Sequence, residues 1–322
     1  MRKAEPGSAV VAVGGNSLIV DPKHEAIPDQ AAAAAATAHH IAEMVAAGWN
    51  VVITHGSGPQ VGFILRRSEL ALAEVAPVPM DYAAADLQGA IGYMFQRALR
   101  NEFRRRGLQR TAIAVVTQVL VDRGDPAFDR PAKPIGSQMD EATAKRRAAE
   151  LGWVVQEDSG RGWRRVVPSP LPQGIVEIAE IAHLVKAGYV VIACGGGGIP
   201  VVADESGDLH GVEAVIDKDL ASSMLARELN ADLLVISTSV PRVAINFGRP
   251  EQRWLERLTR KEAQTYLAEG HFAEGSMAPK VRAIVAYLDR PGRRGLITDP
   301  PNIGRALAGQ AGTVLTFDDM AG

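Results

Sequence analysis

Ala9-Val10-Val11-Ala12-Val13-Gly14-Gly15-Asn16 and Asn50-Val51-Val52-Ile53-Thr54-His55-Gly56-Ser57-Gly58-Pro59-Gln60 follow one plan. In each, a short apolar run, rich in β-branched residues in the second, ends on glycines, which reads as a strand followed by a tight turn. A helical pattern from about Gln30 to Ala47 separates them, and a second helix follows Pro59. Strand, helix, strand, helix is the order of a parallel βαβ unit. Because the strands are continuously apolar rather than alternating, they are expected to be buried on both faces of a mostly parallel sheet. The alanine run Ala31 to Ala36 is expected to be a helix turn packed closely on that sheet, alanine being the best helix former.

The same pattern returns late in the chain. Strands are expected at Tyr189 to Ala193, Leu233 to Ser237, Gly295 to Thr298 and Thr313 to Thr316, with helices near Ile175 to Ala187, Asp219 to Leu229 and Pro279 to Leu288. From about Arg123 to Pro170 the pattern breaks. That stretch is rich in proline and charge and holds a helix-like segment, Asp140 to Leu151. A hairpin-like pair follows, Trp153 to Val155 and Trp163 to Val167, around a Ser159-Gly160 turn. It reads as a small excursion from the sheet, equally a lid or a structural insertion.

Composition narrows the function. The 322 residues suffice for one large α/β domain or two lobes, and 47% hydrophobic with 22% charged residues is the balance of a globular enzyme. Lys plus Arg (35) nearly cancel Asp plus Glu (37), and the aromatics are few and scattered, so no nucleic-acid surface is expected. Cys194 is the only cysteine, which excludes an internal disulfide and points to a reducing compartment, the cytoplasm. No apolar stretch is long enough for a membrane helix, and Ala9 to Val13 is too short for a signal sequence.

Three glycine clusters directly follow expected strands: Gly14-Gly15, Gly56-Ser57-Gly58, and Gly195 to Gly198. In open α/β sheets ligands bind at the carboxyl ends of strands, so the three point to one anion-binding crevice. Pro59 suits a first helical position, which would aim a helix N-terminus there. There is no G-x-x-x-x-G-K-[ST], and the glycine quartet runs into Pro200 and Val201 rather than opening a helix, so neither a P-loop nor a dinucleotide fold fits. Lys133, Lys218 and Lys280 are the candidate cations. Phosphoryl transfer needs positioning and positive charge more than covalent chemistry. Read singly, a lysine is a solvated surface charge; Lys218 differs because it follows an apolar run and sits between Asp217 and Asp219. His55 reads as a strand-end residue that fixes a loop, and Cys194 as a buried bystander. His39-His40 lacks any H-E-x-x-H arrangement, so no protein-held metal is expected.

Taken together, Gly14-Gly15-Asn16, His55-Gly56-x-Gly58-Pro59-Gln60-Val61-Gly62, Gln88-Gly89-x-Ile91-Gly92-Tyr93, Lys133-Pro134-Ile135-Gly136, Gly195 to Pro200, Glu213 to Leu220 and Gly275-Ser276-Met277-x-Pro279-Lys280 resemble, in this order, the carbamate kinases of the amino-acid-kinase fold. The resemblance runs from about residue 8 to 318. It implies an open, mostly parallel sheet sandwiched by helices, in two lobes. Residues 8–190 would form an acid lobe, with the excursion at about 123–170 as a protruding subdomain, and 191–318 a nucleotide lobe. It further implies reversible transfer between carbamoyl phosphate and ADP, giving ATP and carbamate, with Mg2+ accompanying the nucleotide, in a homodimer. Gly14, Gly15, Asn16, Gly56 and Gly58 would cradle carbamoyl phosphate, joined by Ser57, Gln60, Gly196 and Gly197. Lys133, Lys218 and Lys280 would neutralise the moving phosphoryl group, and Asp219 would hold lysines in place. The nucleotide would meet Lys218, Thr238, Ser276, Met277 and Lys280. Other amino-acid kinases carry a lysine where this chain has Ala12-Val13; in carbamate kinases the subdomain lysine, here Lys133, takes over. Ser57 stands where the family usually has Asn, which keeps open a same-fold kinase acting on another small acid. A sensor that binds without turnover is the rival from outside enzymes.

Overall fold

A computed structural model describes residues 7–15, 18–19, 21, 23–158, 160 and 162–317; Asn16, Ser159 and Asp318 lie outside the described residues. Eight strands form the main sheet, in the order Arg257–Thr259, Thr313–Thr316, Arg294–Thr298, Leu233–Ser237, Ser8–Val13, Asn50–His55, Val190–Ile192, Ala112–Ala114. Every pairing is parallel except that between Arg294–Thr298 and Thr313–Thr316.

The apolar runs are continuous because both sheet faces are covered. Ala9, Val11 and Val13 enter one core, under the helices Ile27–Ala46 and Met80–Arg106. Val10 and Ala12 enter the other, under Ile178–Lys186, Lys218–Glu228 and Met277–Tyr287. Each strand thus spends successive residues on opposite layers.

Two expectations change. The alanine helix packs chiefly on the Met80–Arg106 helix, and within Ala31 to Ala36 only Ala34 is buried, so the run supplies helix propensity more than a sheet contact. Ile175 belongs to a strand, Pro172–Ile175, and the helix begins at Ile178. Glu177 separates the two, its carboxylate accepting from the Gln118 backbone N–H (2.7 Å) and side-chain amide (2.8 Å). That strand joins a second, four-stranded sheet with Gln118–Val121, Ile199–Ala203 and Leu209–Gly211.

The chain leaves this second sheet after Val121 and re-enters it at Pro172. Between lie three antiparallel strands, Lys133–Met139, Trp163–Val167 and Val154–Glu157, and the helix Glu141–Leu151, capped by the Asp140 side chain. The small sheet docks on the Gly58–Leu70 helix through backbone contact. A Cβ on Gly62 would lie 2.2 Å from Gly136 Cα, so any side chain there would force the two apart.

Candidate active site

The carboxyl ends of neighbouring strands bring the glycine loops together. Gly14 and Gly15 follow Ser8–Val13, Gly56 to Gly58 follow Asn50–His55, and a short 3-10 turn, Gly195–Gly197, comes after Val190–Ile192. A Cβ on Gly56 would stand 2.7 Å from Gly15 N and 3.2 Å from Lys218 Cδ, so two loops and a lysine stem meet where that side chain is missing. The Gly56 N–H itself donates to Val13 O (2.9 Å), so Gly56 supplies room rather than a donor. Gly196 abuts Ser57: a Cβ there would come within 2.6 Å of the Ser57 Oγ, which is itself on a buried residue. Gln60 is buried too, but its amide donates to Gln30 Oε1 (3.2 Å) and so faces the first helix.

The lysines arrive on helix N-termini. Lys218 opens the helix Lys218–Glu228, whose cap is Asp217, with Oδ1 accepting from the Asp219 N–H (2.9 Å). Lys280 lies in the first turn of Met277–Tyr287. Lys218 Nζ donates to Asp219 Oδ1 at 2.5 Å and Lys280 Nζ to Asp219 Oδ2 at 3.1 Å, so one carboxylate, 4% exposed, serves both cations. Burial alone would raise the Asp219 pKa, yet the Lys218 and Lys280 charges override it and hold the group down at about 2. Burial pushes Lys218 below its ordinary value; Asp219 counters and Lys280 adds repulsion. A helix N-terminus is a poor place for a cation. Two lysines, two helix N-termini and one shared carboxylate therefore gather net positive potential in one place.

Lys133 comes from the small sheet and donates to Asp217 Oδ2 (2.7 Å). Asp217 therefore caps the Lys218 helix with one oxygen and holds Lys133 with the other. Sequence reasoning used Asp217 only as a neighbour that marks Lys218, although an Asp just before a helix start is an N-cap signal. Gln88 is a second residue left without a role. Its side chain accepts from Thr117 N (2.7 Å) and donates to the carbonyls of Thr117 and Gly195 (3.0 Å each), which pins the third glycine loop. Ser222 Oγ donates to Lys218 O (2.6 Å) and is bonded to Thr54 Oγ1 (2.6 Å), tying the lysine helix to its neighbouring strand.

The other candidates take quieter positions. Thr238 follows the Leu233–Ser237 strand, which lies beside the first strand, and its N–H donates to Thr298 O (2.8 Å). Ser276, exposed, and Met277 sit at the start of the helix that carries Lys280. His55 is buried, donates from Nδ1 to Gly56 O (3.3 Å), and burial lowers its pKa to about 4, so it is neutral at pH 7. Burial raises the Cys194 thiol, and its N–H donates to Thr117 Oγ1 (3.0 Å).

Residues 8–299 match the amino acid kinase family. The chain belongs to the amino acid kinase family. Within that family it groups with the carbamate kinases. It is 48% identical to the carbamate kinase of Pyrococcus horikoshii over 97% of this chain and 99% of that one. It is also 48% identical to the carbamate kinase-like protein YahI of Escherichia coli, over 94% and 97% of the two chains. The solved structure of the carbamate kinase from Giardia lamblia bound to AMP-PNP superposes with a TM-score of 0.90 at 40% identity, covering 97% of this chain and 99% of that one. Like other amino acid kinases, the protein is a phosphotransferase with an α/β fold built on a mostly parallel sheet.

Proposed function

We propose that the protein catalyses reversible phosphoryl transfer between carbamoyl phosphate and ADP, giving carbamate and ATP. The observation that carries this reading is the pair of lysines on helix N-termini sharing the buried Asp219, beside the glycine loops. A β-phosphate oxygen of ADP attacks the phosphorus, its new P–O bond forms as the bond to carbamate breaks, and carbamate leaves as an anion. Both nucleophiles, ADP and carbamate, are already anionic, so no general base is required. Lys218 and Lys280 offset charge on the transferring group, and Lys133 does so from the other side. Gly14, Gly15, Gly58, Gly196 and Gly197 line the phosphate side with backbone, and Ser57 places a hydroxyl there. Thr238, Ser276 and Met277 border the nucleotide.

Carbamoyl phosphate is assigned to residues 8–190 and the nucleotide to 191–318, with the small sheet covering the crevice between them. Mg2+ would enter on the nucleotide phosphates, where it offsets charge on the bridging oxygens. Asp217 and Asp219 are committed to lysines, which suits a metal carried by the nucleotide. No described helix is long and apolar enough to cross a membrane. A homodimer in the cytoplasm completes the reading; sedimentation at a monomer mass would remove the dimer.

The acceptor is tested by ATP formation from ADP and Mg2+ with carbamoyl phosphate beside acetyl phosphate. The expected result is a kcat/KM at least about 100-fold higher for carbamoyl phosphate, the discrimination a site gains by hydrogen-bonding an amino group. An equal or reversed preference would transfer the reading to a same-fold kinase of another small acid and make Ser57 the residue to change.

A further inference from the structure

We propose that the cavity between the Gly58–Leu70 helix and the small three-stranded sheet binds a small carboxylic acid with an aliphatic body. The cavity, of about 160 Å³, is lined by the apolar side chains of Leu65, Ile135 and Met139 and by the guanidiniums of Arg66, Arg147 and Arg165. None of Lys133, Lys218, Lys280, Asp217, Asp219 or the three glycine loops lines it.

The charge is unbalanced and already arranged. Three guanidiniums face one lining carboxylate, Glu69, whose Oε2 takes both Arg66 (3.1 Å) and Arg147 (2.5 Å). Arg165 meets Glu213 at a long 3.4 Å and feels the Glu69 charge as well. Burial lowers its pKa, and Glu213 and Glu69 counter that only in part. The guanidinium carbons of Arg147 and Arg165 lie 5.1 and 5.0 Å from the Trp153 ring centroid, so stacking on the indole holds both without using up their donors. A carboxylate suits that fork because guanidinium donors pair with it in two parallel hydrogen bonds. The volume is well under that of a drug-sized pocket, so the body must be short, and the Leu65, Ile135 and Met139 lining favours one that is branched and apolar. An acid seated there would bridge the helix that starts at Gly58 and the strand that starts at Lys133.

Isovalerate is the probe, titrated into the full chain by calorimetry and by Trp153 fluorescence, with Trp153→Phe as the optical control. Inorganic phosphate supplies charge without the body, and 3-methylbutan-1-ol the body without charge. The expected result is one isovalerate per chain, bound at least about tenfold more tightly than either control and weakened at least about tenfold in Arg165→Gln and Arg147→Gln. Met139→Glu, which breaks no ion pair, places a like charge at the apolar wall and should abolish binding even if an arginine variant folds poorly. Lys218→Ala should bind as the wild type does. The proposal is overturned by no saturation up to the solubility limit, by phosphate saturating the Trp153 signal at as low a concentration as isovalerate, or by binding that carbamoyl phosphate displaces or Lys218→Ala removes.

Discussion

Lys218 and Lys280 stand over the sheet, 12% and 17% exposed, and divide one buried carboxylate between them. Lys133 stands on the small sheet, 37% exposed, and reaches a different aspartate, Asp217, across the crevice. The first pair is part of the fold: removing its charges from water requires a partner in place before any substrate arrives. The third lysine belongs to an element joined to the rest through the Gly62–Gly136 contact and also through the Arg147–Glu69 and Arg165–Glu213 pairs, so its own ion pair can be lost without disturbing the core. The difference separates a fixed floor of positive potential from a cation delivered by a protruding element.

The sharpest way to break that contrast is Asp219→Asn. It leaves two buried ammoniums facing each other, so turnover should fall by about 10³-fold or more, with a loss of about 3–5 kcal/mol in stability read by denaturant melts. A variant that melts like the wild type would show that the floor does not depend on its carboxylate. Lys133→Ala should lower kcat by about 10²-fold while the melting temperature and ADP affinity stay put, because a part-exposed pair contributes at most about 1 kcal/mol. Wild-type turnover in Lys133→Ala would return the small sheet to a structural insertion. Asp217→Asn keeps an oxygen to cap the Lys218 helix but weakens the hold on Lys133. Turnover should fall by only about tenfold, with little change in stability, and a large loss of stability would mean that the cap rather than the lysine matters.

The smallest effect concerns His55, which lies beneath the loops and carries no charge at pH 7. Its folded pKa, about 4, lies below the ordinary histidine value of 6.5, so between those limits the unfolded chain binds the extra proton. Stability should therefore decline as pH falls from about 6.5 toward about 4, and His55→Gln should flatten that part of the profile by about 1–3 kcal/mol without changing turnover at pH 7. An unchanged profile would place the acid sensitivity elsewhere.

The sequence was most readable where one physical demand dominates. Strands buried on both faces must be apolar throughout, so Ser8–Val13 and Leu233–Ser237 stand out, and glycines cluster where backbones or side chains crowd, as at Gly56 and Gly196. The four-stranded sheet was not legible: Gln118–Val121 is short and only half-buried, and Ile175 reads as the start of the helix that follows it. Nor was the Lys133–Asp217 pair, because its members lie 84 residues apart and local pattern explains Asp217 fully as a helix cap. Gln88 escaped for a similar reason. Its hydrogen bonds join Thr117 and Gly195, residues that only the fold brings together.

The measurement closest to the central claim is Lys218→Ala, assayed for ATP formation from carbamoyl phosphate and ADP with Mg2+ and, in parallel, for ADP binding by calorimetry. If the Lys218 charge acts mainly in the transition state, kcat falls by about 10³-fold while the ADP dissociation constant stays within about threefold of wild type. Equal losses in turnover and binding, or turnover left intact, would contradict the account.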